Sequence, residues 1–144
     1  MTINEIQDDI IAEFSELDDW MDRYQLLIDL GSEQTPLPES DKIRQNLIEG
    51  CQSRVWLTAD LTPEGLVHFR AESDALIVKG IIALLIHILS DHTPQEIADA
   101  DLYFIDRIGL RQHLSPNRSN GLLAMLRRMK TYALAYNEKM KNKK

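Results

Sequence analysis

The apolar run from Ile77 to Leu89, IVKGIIALLIHIL, constrains the fold more than any other part of the chain. Spanning a bilayer takes about 20 apolar residues, and this run is shorter and carries Lys79 and His87. It therefore predicts a helix that is apolar nearly all round and lies at the centre of a folded domain. Asp74 is placed to cap this helix, which we expect from about Ala75 to Leu89.

Two helices are predicted ahead of this central segment. Apolar residues recur at three- and four-residue steps near the start of the chain, which indicates an amphipathic helix containing Ile3, Ile6, Ile10, Phe14 and Leu17. Asp18 or Asp19 can cap a second, short helix, which Gly31 is placed to end. The residues that this second helix would bury are Trp20, Tyr24, Leu27 and Ile28.

Further helices are predicted after the central one. Thr93-Pro94-Gln95-Glu96 has the spacing of a capping box, with proline at the first helical position. Leu102 to Ile108 favours another short helix, ended by Gly109, and Ser115-Pro116 opens a final helix. The residues that the final helix would bury are Leu122, Met125, Leu126, Met129, Ala133 and Tyr136.

Two segments have strand character and predict a β-hairpin. Val55 to Asp60 and Leu66 to Glu72 are joined by a turn at Thr62–Gly65. Because a lone hairpin is unstable in water, a third strand is expected around Asn46 to Glu49. The stretch from Gly31 to Ser40 holds two prolines and few apolar groups, so it is predicted to be an extended connector. The fold class is therefore α+β, a small three-stranded antiparallel sheet flanked by helices, in a single domain over residues 1–144.

Charge is distributed unevenly along the chain. Residues 1–41 contain twelve acids and one base, Arg23, whereas bases crowd between Arg127 and Lys144. An acidic front end repels phosphate backbones, which argues against nucleic acid as a partner and leaves a charged protein partner easier to accommodate. The alternative is that both charge blocks are merely solvated faces. The acidic start, MTINEIQDD, does not resemble a signal peptide, so we expect a cytoplasmic protein without a membrane partner.

Cys51 is the only cysteine, so it cannot form an internal disulfide, which fits a reducing cytoplasm. No CxxC, HExxH or calcium-loop pattern occurs, and the spacing of His87 and His92 around Asp91 lacks enough converging ligands for a metal site. No glycine-rich phosphate loop or GxSxG motif is present either. These absences leave the single thiol as the candidate for chemistry.

Two interpretations of Cys51 remain open on local grounds. Free cysteine is among the most buried residue types, so it can be inert filler. Against this, Cys51 is out of phase with every apolar stripe, Gly50 permits a tight turn, and Gln52 and Ser53 are polar neighbours. A reactive thiol would need a pKa lowered toward ambient pH, which nearby cations such as Arg54 or Arg118 can provide.

Three segments of the chain resemble the SufE family of sulfur-acceptor proteins, in that family's order and spacing. They are GCQSRVWL (Gly50 to Leu57), SDALIVKG (Ser73 to Gly80) and LRQHLSPNRSNGLLAM (Leu110 to Met125). The resemblance covers essentially the whole chain and implies a fold shared with the cluster scaffold IscU, in which helices flank a three-stranded antiparallel sheet. IscU uses several ligand cysteines, so a scaffold role for this chain is not expected.

The resemblance implies that Cys51 accepts the outer sulfur of a persulfide formed on a cysteine desulfurase, stimulates that enzyme, and passes the sulfur to a SufBCD-type scaffold for iron–sulfur assembly. The desulfurase, of the SufS or CsdA type, uses pyridoxal phosphate, and no cofactor is expected on this chain. Arg118 would hold the cysteine loop, steady the partner or favour the thiolate, or else only pair with a carboxylate at a helix start. Asp74 would touch the partner or only cap a helix, and His113 would shuttle protons or only pack a loop.

Two rival functions stay open at this point. One is a stand-alone cysteine hydrolase that uses Cys51 and His113, and the other is an interaction module in which Cys51 is inert. The first rival predicts turnover of a small substrate without any partner protein. The sequence leaves open whether the chain forms a homodimer.

Overall fold

The computed structural model describes residues 1–48 and 54–142. Two helices precede a β-hairpin, and five follow it: α1 (Ile3–Ser15), α2 (Trp20–Ser32), β1 (Val55–Leu61), β2 (Val67–Ser73), α3 (Leu76–Leu89), α4 (Pro94–Asp99), α5 (Phe104–Arg107), α6 (Leu110–His113) and α7 (Pro116–Asn142). Two short 3₁₀ turns, Glu39–Asp41 and Arg44–Asn46, lie in the segment between α2 and β1. The predicted α+β class is confirmed.

The central position of α3 follows from its composition. Its side chains are buried from Ile81 through Leu85 and again at Ile88 and Leu89, with Lys79 and His87 placed on less buried positions. One side of α3 packs against α2 and another against the buried face of β2. No helix within the described residues is both long enough and apolar enough to cross a membrane.

Two glycines determine how closely α2 and α3 approach. A methyl group on Gly31 would lie 2.7 Å from the backbone nitrogen of Gly80, and one on Gly80 would overlap the carbonyl of Leu27. Gly31 was expected to end α2, but the helix continues to Ser32. That expectation is wrong because Gly31 serves a tertiary contact, where only a residue without Cβ allows the two backbones to meet.

The hairpin is formed as predicted, in a regular antiparallel register that runs from Val55 opposite Ser73 to Leu61 opposite Val67. The predicted turn is also present, and Gly65 adopts φ +83 there, a conformation that favours glycine. The buried residues alternate along each strand, so one face of the hairpin covers α3.

The expected third strand is reduced to a single bridge within the described residues, which contain a two-stranded sheet. Leu47 pairs with Trp56 on the outer edge of β1. The strand is this short because Arg44–Asn46 forms a 3₁₀ turn. Only Leu47 and Ile48, directly after the turn, lie extended along β1. The last residue of the predicted strand, Glu49, lies outside the described residues.

The helix starts follow local capping rules where no tertiary partner competes. Thr2 and Thr93 each form a complete capping box, and Asp19 caps α2 by accepting a hydrogen bond from the Met21 amide. α7 begins at Pro116, as predicted, and Gly109 adopts φ +76 between α5 and α6.

The long helix α7 holds several distant parts of the chain together. The Tyr136 hydroxyl donates to the carbonyl of Ala59 in β1 at 2.9 Å, and Lys130 Nζ donates to the carbonyl of Ala98 in α4 at 3.3 Å. The guanidinium of Arg128 donates to the carbonyl of Gln45 at 2.7 Å. α7 therefore fixes the segment that leads toward residue 49 against the rest of the domain.

Candidate functional site

Four of the sequence-predicted site residues, Gly50, Cys51, Gln52 and Ser53, lie outside the described residues. The site is accordingly described through the residues that border this segment and through Asp74, His113 and Arg118. The chain enters the segment from Ile48 and leaves it at Arg54, and both flanking residues have defined backbone partners.

The entry side is anchored on β1. The Ile48 N–H donates to the carbonyl of Val55 at 2.8 Å, directly after the Leu47–Trp56 bridge. The Ile48 side chain is buried in the main core cluster. Because Ile48 and Val55 are hydrogen-bonded, the chain before residue 49 and the chain after residue 53 run side by side at the edge of the sheet.

The exit side is held by Asp74. Its Oδ1 accepts a hydrogen bond from the Arg54 N–H at 3.1 Å, and its own N–H donates to the Arg54 carbonyl at 3.3 Å. The expectation that Asp74 caps the central helix is wrong, because the N-cap of α3 is Ala75, which has no side-chain cap. The pairing of β1 with β2 ends at Val55 and Ser73, so the next amide, that of Arg54, has no strand partner. The Asp74 carboxylate accepts the hydrogen bond from this amide instead.

His113 lies at the end of α6 in an aromatic cluster. Its ring stacks on Trp20 with centroids 3.9 Å apart and planes 13° apart, and Nδ1 lies 3.0 Å from the Gly109 carbonyl. The backbone carbonyl of His113 accepts a hydrogen bond from the Tyr24 hydroxyl. These contacts join α6 to α2, and His113 is itself exposed.

Arg118 lies in the first turn of α7, where its backbone N–H donates to the Ser115 hydroxyl at 3.3 Å. The residue is exposed. Among the carboxylates of the described residues, none is within 4.0 Å of its guanidinium, so the ion pair weighed as its purely structural role is not found there.

A basic groove borders the entry side of the segment and was not anticipated from the sequence. Its volume is about 390 Å³, and we call it the arginine groove; it is lined by Arg44, Gln45, Leu47, Ile48, Ala124, Arg127, Arg128 and Thr131. One wall is the segment that leads to residue 49, and the other is α7. The crowding of bases after Arg127 was the available signal, but the sequence could not show that Arg44 meets them.

The connector ahead of the groove is tied to the sheet by Glu72 in β2. Its carboxylate accepts a hydrogen bond from the Leu37 N–H at 2.9 Å and pairs with Lys42 Nζ at 2.6 Å. The hydrogen bond from Lys42 is the main cause that lowers the pKa of Glu72, and it raises the pKa of Lys42. This pair fixes the path of the chain as it approaches Arg44.

Residues 8–133 match the family described as SufE, the Fe–S metabolism associated domain. This chain belongs to the SufE family. The match spans the segment that contains Cys51, together with Asp74, His113 and Arg118. The resemblance stated from the three sequence segments is thus confirmed, and membership associates the chain with iron–sulfur metabolism.

A solved structure shares the SufE-family fold seen here. It is the solution structure of a hypothetical protein from Thermus thermophilus, 22% identical in sequence, with a TM-score of 0.76. The similarity covers 92% of this chain and 96% of that one. At this identity the likeness extends to the fold and not to individual site residues.

Within this SufE domain, the predicted site residues fall into two groups. Asp74 contacts the backbone that borders the cysteine segment, and Arg118 presents an exposed charge at the start of α7. His113 is held against Trp20 instead. Within residues 1–48 and 54–142, no cluster of His, Cys, Asp or Glu is arranged to hold a metal ion.

Proposed function

We propose that this protein is a sulfur acceptor that takes a persulfide sulfur on Cys51 from a cysteine desulfurase and hands it to an iron–sulfur assembly scaffold. The observation that carries the proposal is the SufE-family match over residues 8–133, which contains Cys51, the only thiol of the chain. A relay of this kind needs one thiol and no bound cofactor, since pyridoxal phosphate belongs to the desulfurase.

The proposed transfer is a thiol–persulfide exchange. The Cys51 thiolate attacks the outer sulfur of the donor persulfide, a new sulfur–sulfur bond forms on Cys51, and the donor's sulfur–sulfur bond breaks. The electron pair of the broken bond remains on the donor cysteine, which leaves as a thiolate and then takes up a proton. The sulfur atom that moves keeps its oxidation state, so the step needs no external oxidant or reductant.

Asp74, Arg118 and His113 take different parts in this proposal. Asp74 holds the backbone of Arg54 and thereby fixes where the chain leaves the cysteine segment. Arg118 offers a cation that is not committed to a carboxylate within the described residues, and a nearby cation favours a thiolate. His113 acts as a packing residue in this proposal, because its ring is stacked on Trp20.

This proposal has two partner proteins, one that donates sulfur and one that receives it. The donor is a desulfurase of the SufS or CsdA type, and the recipient is a SufBCD-type scaffold, in the cytoplasm. Handing sulfur from protein to protein keeps the persulfide away from small thiols that would remove it. The chain acts as a carrier that accelerates its donor, and a homodimer is not required for the relay.

The test is a persulfide assay with the desulfurase, free cysteine and this protein. We expect Cys51 to gain one sulfur atom by mass spectrometry and the rate of sulfide or alanine release to rise. The matched control is Cys51→Ser, which differs by one atom and should gain no sulfur and give no stimulation. Full stimulation by Cys51→Ser would contradict the relay and favour an interaction module, whereas hydrolysis of a small substrate without the desulfurase would favour a thiol hydrolase.

A further inference from the structure

We propose that the arginine groove binds an acidic peptide segment of the sulfur donor and thereby positions the donor beside the Cys51 segment. This inference rests on the proposed function and adds to it a docking surface, the residues that form it and the chemistry of the segment they bind.

The charge of the groove is the first argument. Three of its lining residues are arginines, Arg44, Arg127 and Arg128, and none of its lining residues is acidic. Arg44 and Arg127 are exposed, and no carboxylate of the described residues forms an ion pair with either. Positive charges that lie together without counter-charges repel one another. A bound segment that contains carboxylates would be attracted to these arginines and would relieve that repulsion.

Two arginines elsewhere in the described part of the chain, Arg70 and Arg111, show the contrast. Arg70 on β2 lies 3.2 Å from an Asp41 oxygen and 3.7 Å from an Asp60 oxygen, and Arg111 lies 3.4 Å from Asp106. The fold thus supplies carboxylates to these two arginines, whereas Arg118, like Arg44 and Arg127, has none among the described residues. At the groove, Arg128 donates to the carbonyl of Gln45, and its guanidinium lies over the Tyr132 ring, 5.8 Å from the ring centroid.

The position of the groove is the second argument. Leu47 and Ile48 line it, and Ile48 is the last described residue before the cysteine segment. The groove is therefore continuous with the chain that leads to the thiol. A peptide held there contacts the chain at Ile48, which is three positions before Cys51 in the sequence.

The nature of the occupant follows from shape and from the rest of the surface. A volume of about 390 Å³ is that of a small cleft, which holds a few side chains. Leu123 lies one helical turn before Arg127 and is 41% exposed. Arginine beside an apolar side chain is typical of protein interfaces. The acidic residues 1–41 oppose a long polyanion such as RNA, so a short acidic segment of a protein fits best.

The experiment compares two double variants of the full-length chain. Arg44→Glu with Arg127→Glu reverses the charge of the groove and leaves Arg128 and its hydrogen bond intact. The matched control, Lys139→Glu with Lys141→Glu, makes the same change of charge at exposed positions farther along α7. The desulfurase is titrated with each protein in the persulfide assay, at low and at physiological salt.

We expect the groove variant to raise the half-saturating concentration for stimulation by about tenfold or more, with an unchanged maximal rate at saturation. Salt should weaken the wild type more than the groove variant, because the screened contacts are already lost there. Direct persulfidation of Cys51 by inorganic polysulfide should be equal in all three proteins, which verifies that the fold and the thiol are intact.

Two outcomes would overturn the docking proposal while the relay stands. One is a groove variant that behaves like its control in donor titrations, with wild-type Cys51 still receiving sulfur. The other is a change in self-association by sedimentation velocity in place of a change in donor affinity, which would assign the groove to a second copy of this chain. If wild-type Cys51 receives no sulfur from the desulfurase, the relay itself is refuted and the docking proposal falls with it.

Discussion

The contact between α2 and α3 and the border of the cysteine segment are built on opposite principles. At the contact, Gly31 and Gly80 bring two helix backbones together so closely that a methyl group on either would meet backbone atoms. At the border, the Ile48 N–H donates to the Val55 carbonyl on one side, and two hydrogen bonds join Asp74 to Arg54 on the other. One region is specified by the close packing of two backbones, and the other by a few hydrogen bonds together with the buried side chain of Ile48.

The difference indicates which region resists structural change and which region can open locally. Close packing resists any change in volume, because neighbouring atoms cannot yield without cost. Surface hydrogen bonds contribute about 1 kcal/mol each and open locally without global unfolding. If the Cys51 segment meets a donor and a recipient in turn, as proposed, the second kind of contact is the better place for it.

The largest effect should come from Gly80→Ala. The added methyl overlaps the Leu27 carbonyl, and overpacking against backbone costs about 3 kcal/mol. This outweighs the gain of about 1 kcal/mol that alanine has over glycine in a helix. Urea unfolding measures the loss, and Leu76→Ala, at an exposed position of the same helix, should change the free energy of unfolding by less than about 1 kcal/mol. A Gly80→Ala protein as stable as the wild type would refute the close contact.

A smaller and more local effect is expected from Asp74→Ala. The Arg54 amide loses its acceptor, so the global free energy of unfolding should fall by about 1 kcal/mol. The exchange of the Arg54 amide, followed by NMR, should become about fivefold faster. Asp74→Asn keeps an oxygen in the same place and is the matched control.

If Asp74→Asn accelerates exchange as much as Asp74→Ala, charge rather than the hydrogen bond holds this border, and the comparison drawn above would need revision. Equal exchange in all three proteins would instead show that Asp74 does not restrain Arg54.

The smallest effect concerns pH and the tie between the connector and the sheet. The pKa of Glu72 is lowered from 4.5 in the folded protein, mainly by the hydrogen bond from Lys42. Its contribution is therefore fully present above the unfolded value and is lost as the pH falls through the folded value. We expect the free energy of unfolding of Glu72→Gln to fall less on acidification from about pH 6 to pH 3 than that of the wild type, measured by urea titrations.

Glu64→Gln is the control, because Glu64 lies exposed in the hairpin turn. It should keep the acid dependence of the wild type. If the free energy of unfolding of Glu72→Gln falls as steeply on acidification as that of the wild type, the Glu72–Lys42 pair does not hold the chain that leads to the arginine groove.

Local rules predicted local features of this fold. The Thr93 capping box, the start of α7 at Pro116 and the hairpin turn each depend on residues within a few positions of one another, and each was confirmed. Gly31 and Asp74 were misassigned by the same rules. Each has a distant partner, Gly80 for the first and Arg54 for the second, and such contacts are invisible to reasoning from neighbours.

Only part of the candidate site was predictable from the sequence. Cys51 was singled out because it is the only thiol, and its role in sulfur transfer stays a prediction. The arginine groove was missed, because it forms where Arg44 meets Arg127 and Arg128, and the Gln45 carbonyl bonded to Arg128 is 83 positions away in sequence. Composition indicated a basic region, but only the packing of α7 determines which of its charges meet Arg44 and the chain up to Ile48.

The contacts of α7 have a consequence for how the protein matures on the ribosome. Synthesis proceeds from the N-terminus, so β1, α4 and the Arg44 turn all emerge before the helix that joins them. A nascent chain that stops short of Pro116 lacks one entire wall of the arginine groove, together with Arg127 and Arg128. If that groove recruits the donor, an unfinished chain cannot be charged with sulfur efficiently, and loading waits for completion of the fold.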